Sequence, residues 1–217
     1  MTVTEVCHFT LKEEFSLETL KDPEGPNVKA LETLSAQPGC EKISWGLGIE
    51  DPKSLFWFVE WDKLDSHETF KATEIYPTFV STTLSALTSP ENPTPIKLTH
   101  YPFPSSLHAL LSENPSFKST PPKLEYFWMK TIPQAEGPTT MLNHLETFAE
   151  PLKTYQGGVA VTFAPAVEDE TVFLTLALWP TVQVHMEFRE TENFAKMMPV
   201  MRTLREDVQV MHVDMVW

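Results

Sequence analysis

The chain has 217 residues, of which 41% are hydrophobic, and a formal charge of −14. That is enough apolar material for one large domain or two small ones, and it argues against a disordered chain. An acidic balance of this size repels nucleic-acid phosphates and anionic lipid, so neither nucleic acid nor a membrane is an expected partner.

The elements follow in chain order. Thr2–Lys12 mixes β-branched and aromatic residues with partial alternation, which predicts a strand. Glu13–Pro26 is polar and marked by Pro and Gly, a loop. Asn27–Gln37 spaces Val28, Leu31 and Leu34 for a helix with Asn27 as N-cap, and Pro38-Gly39 stops it. Cys40–Ile49 and Ser54–Trp61 predict a hairpin. Ser66–Leu87 predicts a helix that Pro77 kinks or divides, and Ile96–Phe103 a closing strand. Pro104–Lys123 is rich in Pro and Ser and reads as a linker with one helical turn at Leu107–Leu111.

The order then starts again. Leu124–Ile132 is a strand, Thr140–Thr154 a helix, and Gly157–Ala164 and Thr171–Trp179 are strands. Met186–Leu204 is a helix and Asp207–Trp217 a strand. Gly25-Pro26 has a counterpart in Gly137-Pro138. The predicted domains are residues 1–103, a linker 104–123, and 124–217.

Both halves carry an apolar run that ends in Trp (Trp61, Trp179) and leads into a helical segment containing a His (His67, His185). Anchoring the repeat on the two Trp residues matches His67 with His185. Anchoring it on Pro77 and Pro199 matches His67 with Arg189, about one helical turn away, which implies an insertion near the corner in one copy. His100 and His212 occupy like places in the closing strands.

Each half therefore reads βαββαβ, the ferredoxin-like order: α+β, with both helices on one face of a four-stranded antiparallel sheet. Ser54–Trp61 is apolar on both parities, with Leu55, Trp57, Val59 and Trp61 on one and Phe56 and Phe58 on the other. Both faces therefore call for burial. The expected solution is two tandem units whose sheets pack face to face as an α/β barrel.

The tandem order, the aromatic strand ending in Trp61 and the following HETFKATEIYPTF resemble the dimeric α/β-barrel superfamily, and within it the antibiotic-biosynthesis-monooxygenase (ABM) domain. The resemblance covers the chain apart from the linker and is stronger in the first half. It implies a pocket between sheet and helices that takes a small aromatic or polyketide-like molecule. Chemistries of that superfamily include cofactor-independent oxygenation, cyclisation, isomerisation, aldoxime dehydration and haem degradation, and some members have no assigned reaction. Association as a homodimer is also implied as a possibility.

The candidate catalytic residues are His67, Tyr76 and His100: a His can move a proton near neutral pH, and Tyr can donate to an anion. Trp45, Trp57, Trp61, His8, Trp179, His185 and His212 are candidates for substrate binding, and the indoles serve equally well as core. The aromatic content around Ser54–Tyr76 favours the first half. His108 and His144 read as bland. His212-Val213-Asp214 supplies only part of a metal set, so no metal is expected. The sequence has no GxGxxG after a strand, no P-loop, HExxH, GxSxG or CxxC, which leaves nucleotide chemistry without support and predicts an enzyme without a dedicated cofactor. The reaction the resemblance implies first is cofactor-independent oxygenation of an aromatic or polyketide-like molecule; the alternatives are a cofactor-free cyclase, isomerase or dehydratase using the same proton chemistry, or a non-catalytic binding or stress-response protein.

Cys7 and Cys40 make no disulfide framework and read as free thiols of a reducing compartment. The start, MTVTEVCHFTLKEEF, lacks the pattern of an export signal, and no apolar run is long enough to span a bilayer. A cytoplasmic protein is expected.

Overall fold

In a computed structural model of the chain, residues 2–88, 97–118, 120–132, 138–156 and 158–216 are described. Ile96, Gly137, Gly157 and Trp217, which border predicted elements, lie outside the described residues. The chain divides into two compact units, the first running to His100 and the second from Tyr101 to Met215.

The first unit contains β1 (Val3–Thr10), a short α1 (Leu17–Leu20), α2 (Pro26–Ser35), β2 (Cys40–Gly48), β3 (Ser54–Trp61), α3 (Leu64–Lys71), α4 (Tyr76–Leu87) and β4 (Lys97–Tyr101). Its strands lie in the order β4-β1-β3-β2. β3 is antiparallel to both neighbours, pairing Cys7 with Trp57 on one side and Trp45 with Trp57 on the other. This is the ferredoxin-like order.

Every residue of β3 is buried. Leu55, Trp57, Val59 and Trp61 join Leu20, Leu34, Phe70 and Leu87 in one cluster with the helices. Phe56 and Phe58, on the other parity, are each about 1% exposed. Both faces are thus removed from solvent, as the two-parity pattern required. At ~1.5–3 kcal/mol per large side chain, β3 is a main contributor to the unit's stability.

One local detail differs from expectation, and one of two open readings is selected. Gly25 caps α2 in place of Asn27. Asn27 is fully buried, accepts from Trp57 Nε1 at 3.0 Å and donates to the Leu20 carbonyl at 3.0 Å. The predicted long helix is divided: α3 ends with Ala72 as C-cap, and α4 opens at Tyr76 with Pro77 in its first turn. Pro77 falls where a missing N–H costs nothing, so it starts a helix and does not kink one.

The second unit opens with α5 (Leu107–Glu113) and a 3-10 turn at Pro115–Lys118, within the Pro- and Ser-rich segment. Leu107, Leu110 and Phe117 are buried, and α5 packs on strands of its own unit. There follow β5 (Lys123–Thr131), α6 (Pro138–Lys153), β6 (Ala160–Pro165), β7 (Val172–Trp179), α7 (Val182–Phe188), α8 (Glu192–Leu204) and β8 (Arg205–Val216). The order β8-β5-β7-β6 repeats that of the first unit. The fold is α+β, a tandem ferredoxin-like duplication.

The repeat register is that of the Trp anchor. One constant offset relates Trp61 to Trp179, His67 to His185, Phe70 to Phe188 and Tyr76 to Phe194. The ring contacts repeat with it: Phe70 meets Tyr76 at 5.1 Å, and Phe188 meets Phe194 at 6.1 Å. No insertion falls at the corner. Pro199 lies inside α8, one turn beyond the position of Pro77, so the Pro anchor was coincidental.

Candidate functional site

Each unit places the same four side chains on the helix-facing side of its sheet, all of them buried except Glu125, which is partly exposed. In the first, β1 supplies Glu5, β3 ends in Trp61, α3 supplies His67 and β4 supplies His100. Trp61 Nε1 donates to Glu5 Oε2 at 2.8 Å. His67 Nδ1 lies 2.7 Å from His100 Nε2, and His67 Nε2 lies 3.6 Å from Glu5 Oε2. The His67 ring stacks on Trp61 with centroids 5.1 Å apart.

In the second unit Trp179 Nε1 donates to Glu125 Oε2 at 2.7 Å. His185 Nδ1 lies 2.6 Å from His212 Nε2, and His185 Nε2 lies 3.6 Å from Glu125 Oε1. His185 stacks on Trp179 at 4.6 Å. Glu125 and His212 are direct cross-strand partners.

The local sequence explains the placement. After the terminal Trp of β3 the chain turns at once into α3, and His67 and Phe70, three apart, share its buried face. Gly39 makes room for this corner. Its φ is +85°, its carbonyl accepts from Asp62 N at 2.8 Å, and a Cβ there would meet Asp62 Oδ1 and Ser66 Oγ at 2.5 Å. In the second unit Thr181 caps α7, and His185 and Phe188 repeat the spacing.

A proton sits between the two nitrogens of each His pair, since a 2.6–2.7 Å N···N contact needs one donor and one acceptor. Burial lowers the His67 pKa, and the positive form of His100 adds to this, while Glu5 pulls it back up. His67 is therefore held in its neutral form, with a ring nitrogen able to accept a proton. Burial and then the Glu5 charge push the Tyr76 hydroxyl up to about 12, so it stays a donor. Tyr76 meets the His67 ring edge-on at 6.3 Å. Cys7 donates to Glu5 Oε1 at 3.3 Å, and burial pushes its thiol up.

An apolar cavity adjoins each set. That of the first unit is about 40 Å³ and is lined by Glu5, Cys7, Trp57, His67, Tyr76 and Thr83 among others. That of the second is about 100 Å³ and is lined by Glu125, Phe127, Trp179, His185, Phe194 and Met197 among others.

The structure thus brings together His67, His100, Trp61 and Tyr76, and separately Trp179, His185 and His212. Trp57 lines the first cavity. Trp45 packs in the helix-side core opposite Trp57, outside the lining. His8 faces the other side of β1, stacked on Phe56 at 4.4 Å with Nε2 3.1 Å from Ser54 Oγ. Sequence reasoning missed Glu5 and Glu125. The signal was present: each is an acid inside the apolar first strand of its unit, where a charge is costly unless partnered.

Among the described residues, Glu5, His67 and His100 form a set whose ligand atoms lie within 4.8 Å of one another. Two nitrogens on one tetrahedral ion at ~2.1 Å stand ~3.4 Å apart. The 2.7 Å His67–His100 contact is hydrogen-bond spacing, so this set could accept an ion only after that bond opens.

No family profile and no curated protein matches the chain. Solved structures do. An anthrone oxidase-like protein aligns over 100% of this chain and 92% of its own at 13% identity, with a TM-score of 0.72. A candidate monooxygenase from Fusobacterium nucleatum aligns over 100% and 93% at 8% identity, TM-score 0.65. A candidate chlorite dismutase aligns over 100% and 95% at 12% identity, TM-score 0.60. At these identities the likeness is one of fold: the tandem ferredoxin-like arrangement expected from the ABM-like sequence pattern.

Proposed function

We propose that the protein is a small-molecule tailoring enzyme that performs cofactor-independent oxygenation of an aromatic or polyketide-like substrate. The observation that carries this reading is the Glu–Trp–His–His set, present twice, whose Glu and helix His line an apolar cavity in each unit. A neutral, desolvated His takes the proton of a substrate hydroxyl, and the His behind it accepts or supplies the shared proton. Glu5 or Glu125 stabilises the resulting imidazolium. The first unit offers His67 as base, His100 as relay and Tyr76 as donor to the substrate anion; the second offers His185 and His212.

The electron-rich anion then reduces dioxygen directly. One oxygen atom enters the ring carbon as a carbonyl. The other leaves as water with the two hydrogens lost by the substrate, so no external reductant is needed. The walls exclude water, and the sheet and helices hold the ring in place. The anthrone oxidase-like and monooxygenase fold relatives are in keeping with this chemistry.

Oxygen uptake with a panel of phenols, hydroquinones and anthrones tests the reading. One O₂ per substrate is expected, and replacing the basic His by Phe in both units is expected to lower the rate ~10²–10⁴-fold. Equal turnover under anaerobic conditions would instead assign cyclisation or isomerisation to the same proton chemistry. Substrates bound but never converted would assign a binding protein.

A further inference from the structure

The two sets of polar residues match, but their cavities do not. The register gives the pairs: Trp57 of β3 corresponds to Thr175 of β7, and Val59 to Ala177. Trp57 forms part of the wall of the first cavity and is fixed there. Its Nε1 donates to buried Asn27 at 3.0 Å, and its ring meets Phe9 edge-on at 4.6 Å. Thr175 and Ala177 leave that volume open, which accounts for about 100 Å³ in the second unit against about 40 Å³ in the first. The acid follows the same trend: the Glu125 side chain is 13% exposed and that of Glu5 is 4%.

We propose that the second unit is the ligand-binding unit, that it takes a monocyclic phenol, and that the first unit's copy is closed by Trp57 and structural. The size argument sets the class. An apolar cavity of ~150 Å³ holds benzene, so about 100 Å³ admits one ring only with small adjustments and has no room for three fused rings. The walls can make that adjustment. Met197, Met198 and Met201 line the cavity, and methionine is unbranched and changes rotamer at little cost. Glu125, Thr175, Trp179 and His185 are the polar residues of its lining, and Glu125 and His185 are the ones that can accept from a hydroxyl without a rotatable proton of their own in competition. The inference rests on the proposed function only for what happens after binding; of the two sets offered there it selects the second and narrows the substrate to a single ring, and it reverses the preference for the first half drawn from aromatic content.

The test is binding of para-fluorophenol to the full chain carrying ¹³C-methyl methionine. Saturable binding is expected, with methyl shifts concentrated on Met197, Met198 and Met201, which single Met→Leu variants assign. Thr175→Trp, which copies the first unit's plug, is expected to weaken binding at least tenfold. Ala149→Leu, which fills the same cavity from α6, serves if that variant does not fold. Absence of saturable binding, shifts on other methionines, or undiminished affinity in the filled-cavity variants would overturn the proposal. Binding at these methionines without oxygen uptake would sink the oxygenase reading and leave the assignment of the site standing. Oxygen uptake that survives Thr175→Trp and vanishes in His67→Phe would do the reverse.

Discussion

The bond from Trp61 to Glu5 is the most direct test of the buried polar set. The indole N–H meets the carboxylate at 2.8 Å, with Trp61 0% and Glu5 3% exposed. Hydrogen bonds to charged groups contribute ~1.5–3 kcal/mol, and a buried charge that loses a donor bears most of the desolvation cost. Trp61→Phe alone also removes packing, so the bond is isolated by a cycle of Trp61→Phe, Glu5→Leu and the double variant. The expected coupling is ~1.5–3 kcal/mol, read from urea unfolding at pH 8 and resolved by unit if the two melt separately. The matching cycle on Trp179 and Glu125 is expected to give less. Glu125 is 13% exposed in its side chain, and water there replaces the lost donor in part. A first-unit coupling below ~0.5 kcal/mol, well under the charged-bond range, would refute the reasoning. So would a larger coupling in the second unit.

Other outcomes follow from the same geometry. The folded-state pKa of His67 lies below its ordinary 6.5, so the native state binds fewer protons than the unfolded chain between the two values. The stability tied to neutral His67 is therefore full above about pH 6.5 and is lost as pH falls through the depressed value. A pH series of urea midpoints should show this slope, and His67→Phe should flatten it; a slope of opposite sign would contradict the burial argument. Gly39→Ala should cost at least ~1–2 kcal/mol, because a left-handed conformation is imposed on an L-residue and its Cβ meets Asp62 and Ser66; an unchanged melting temperature would mean the corner relaxes freely. Leu107→Ala should cost ~2–5 kcal/mol, since Leu107 is 0% exposed on α5. A cost of a few tenths, measured by denaturant unfolding, would support the reading of residues 104–123 as a linker.

The fold was legible because its strands carry their pattern openly. Ser54–Trp61 has the predicted bounds, and its apolar residues on both parities correctly required two covered faces. The helices were less legible where Pro had two readings. Pro77 and Pro199 look alike in sequence, but one starts a helix and the other sits within one. Of the site, His67, His100, His185 and His212 could be named singly, but not as pairs, because the partners come from elements far apart in the chain. Glu5 and Glu125 escaped notice since a single acid in a strand reads as an edge residue until its donors are known. Trp57 was conspicuous for its size, and that same bulk forms part of the wall of the smaller, first cavity.

The duplication also bears on how such a protein can change. In a symmetric homodimer every substitution appears in both pockets at once, so neither can be altered alone. Here the two copies are separate stretches of one chain. Trp57 can become a fixture of one unit while Thr175 keeps the other open. The first copy is then free to accumulate rigidity, through Asn27 and Phe9, that would extinguish an active pocket. Fusion allows stability to be gathered in one half and adaptability, in the form of Met197, Met198 and Met201, to be kept in the other.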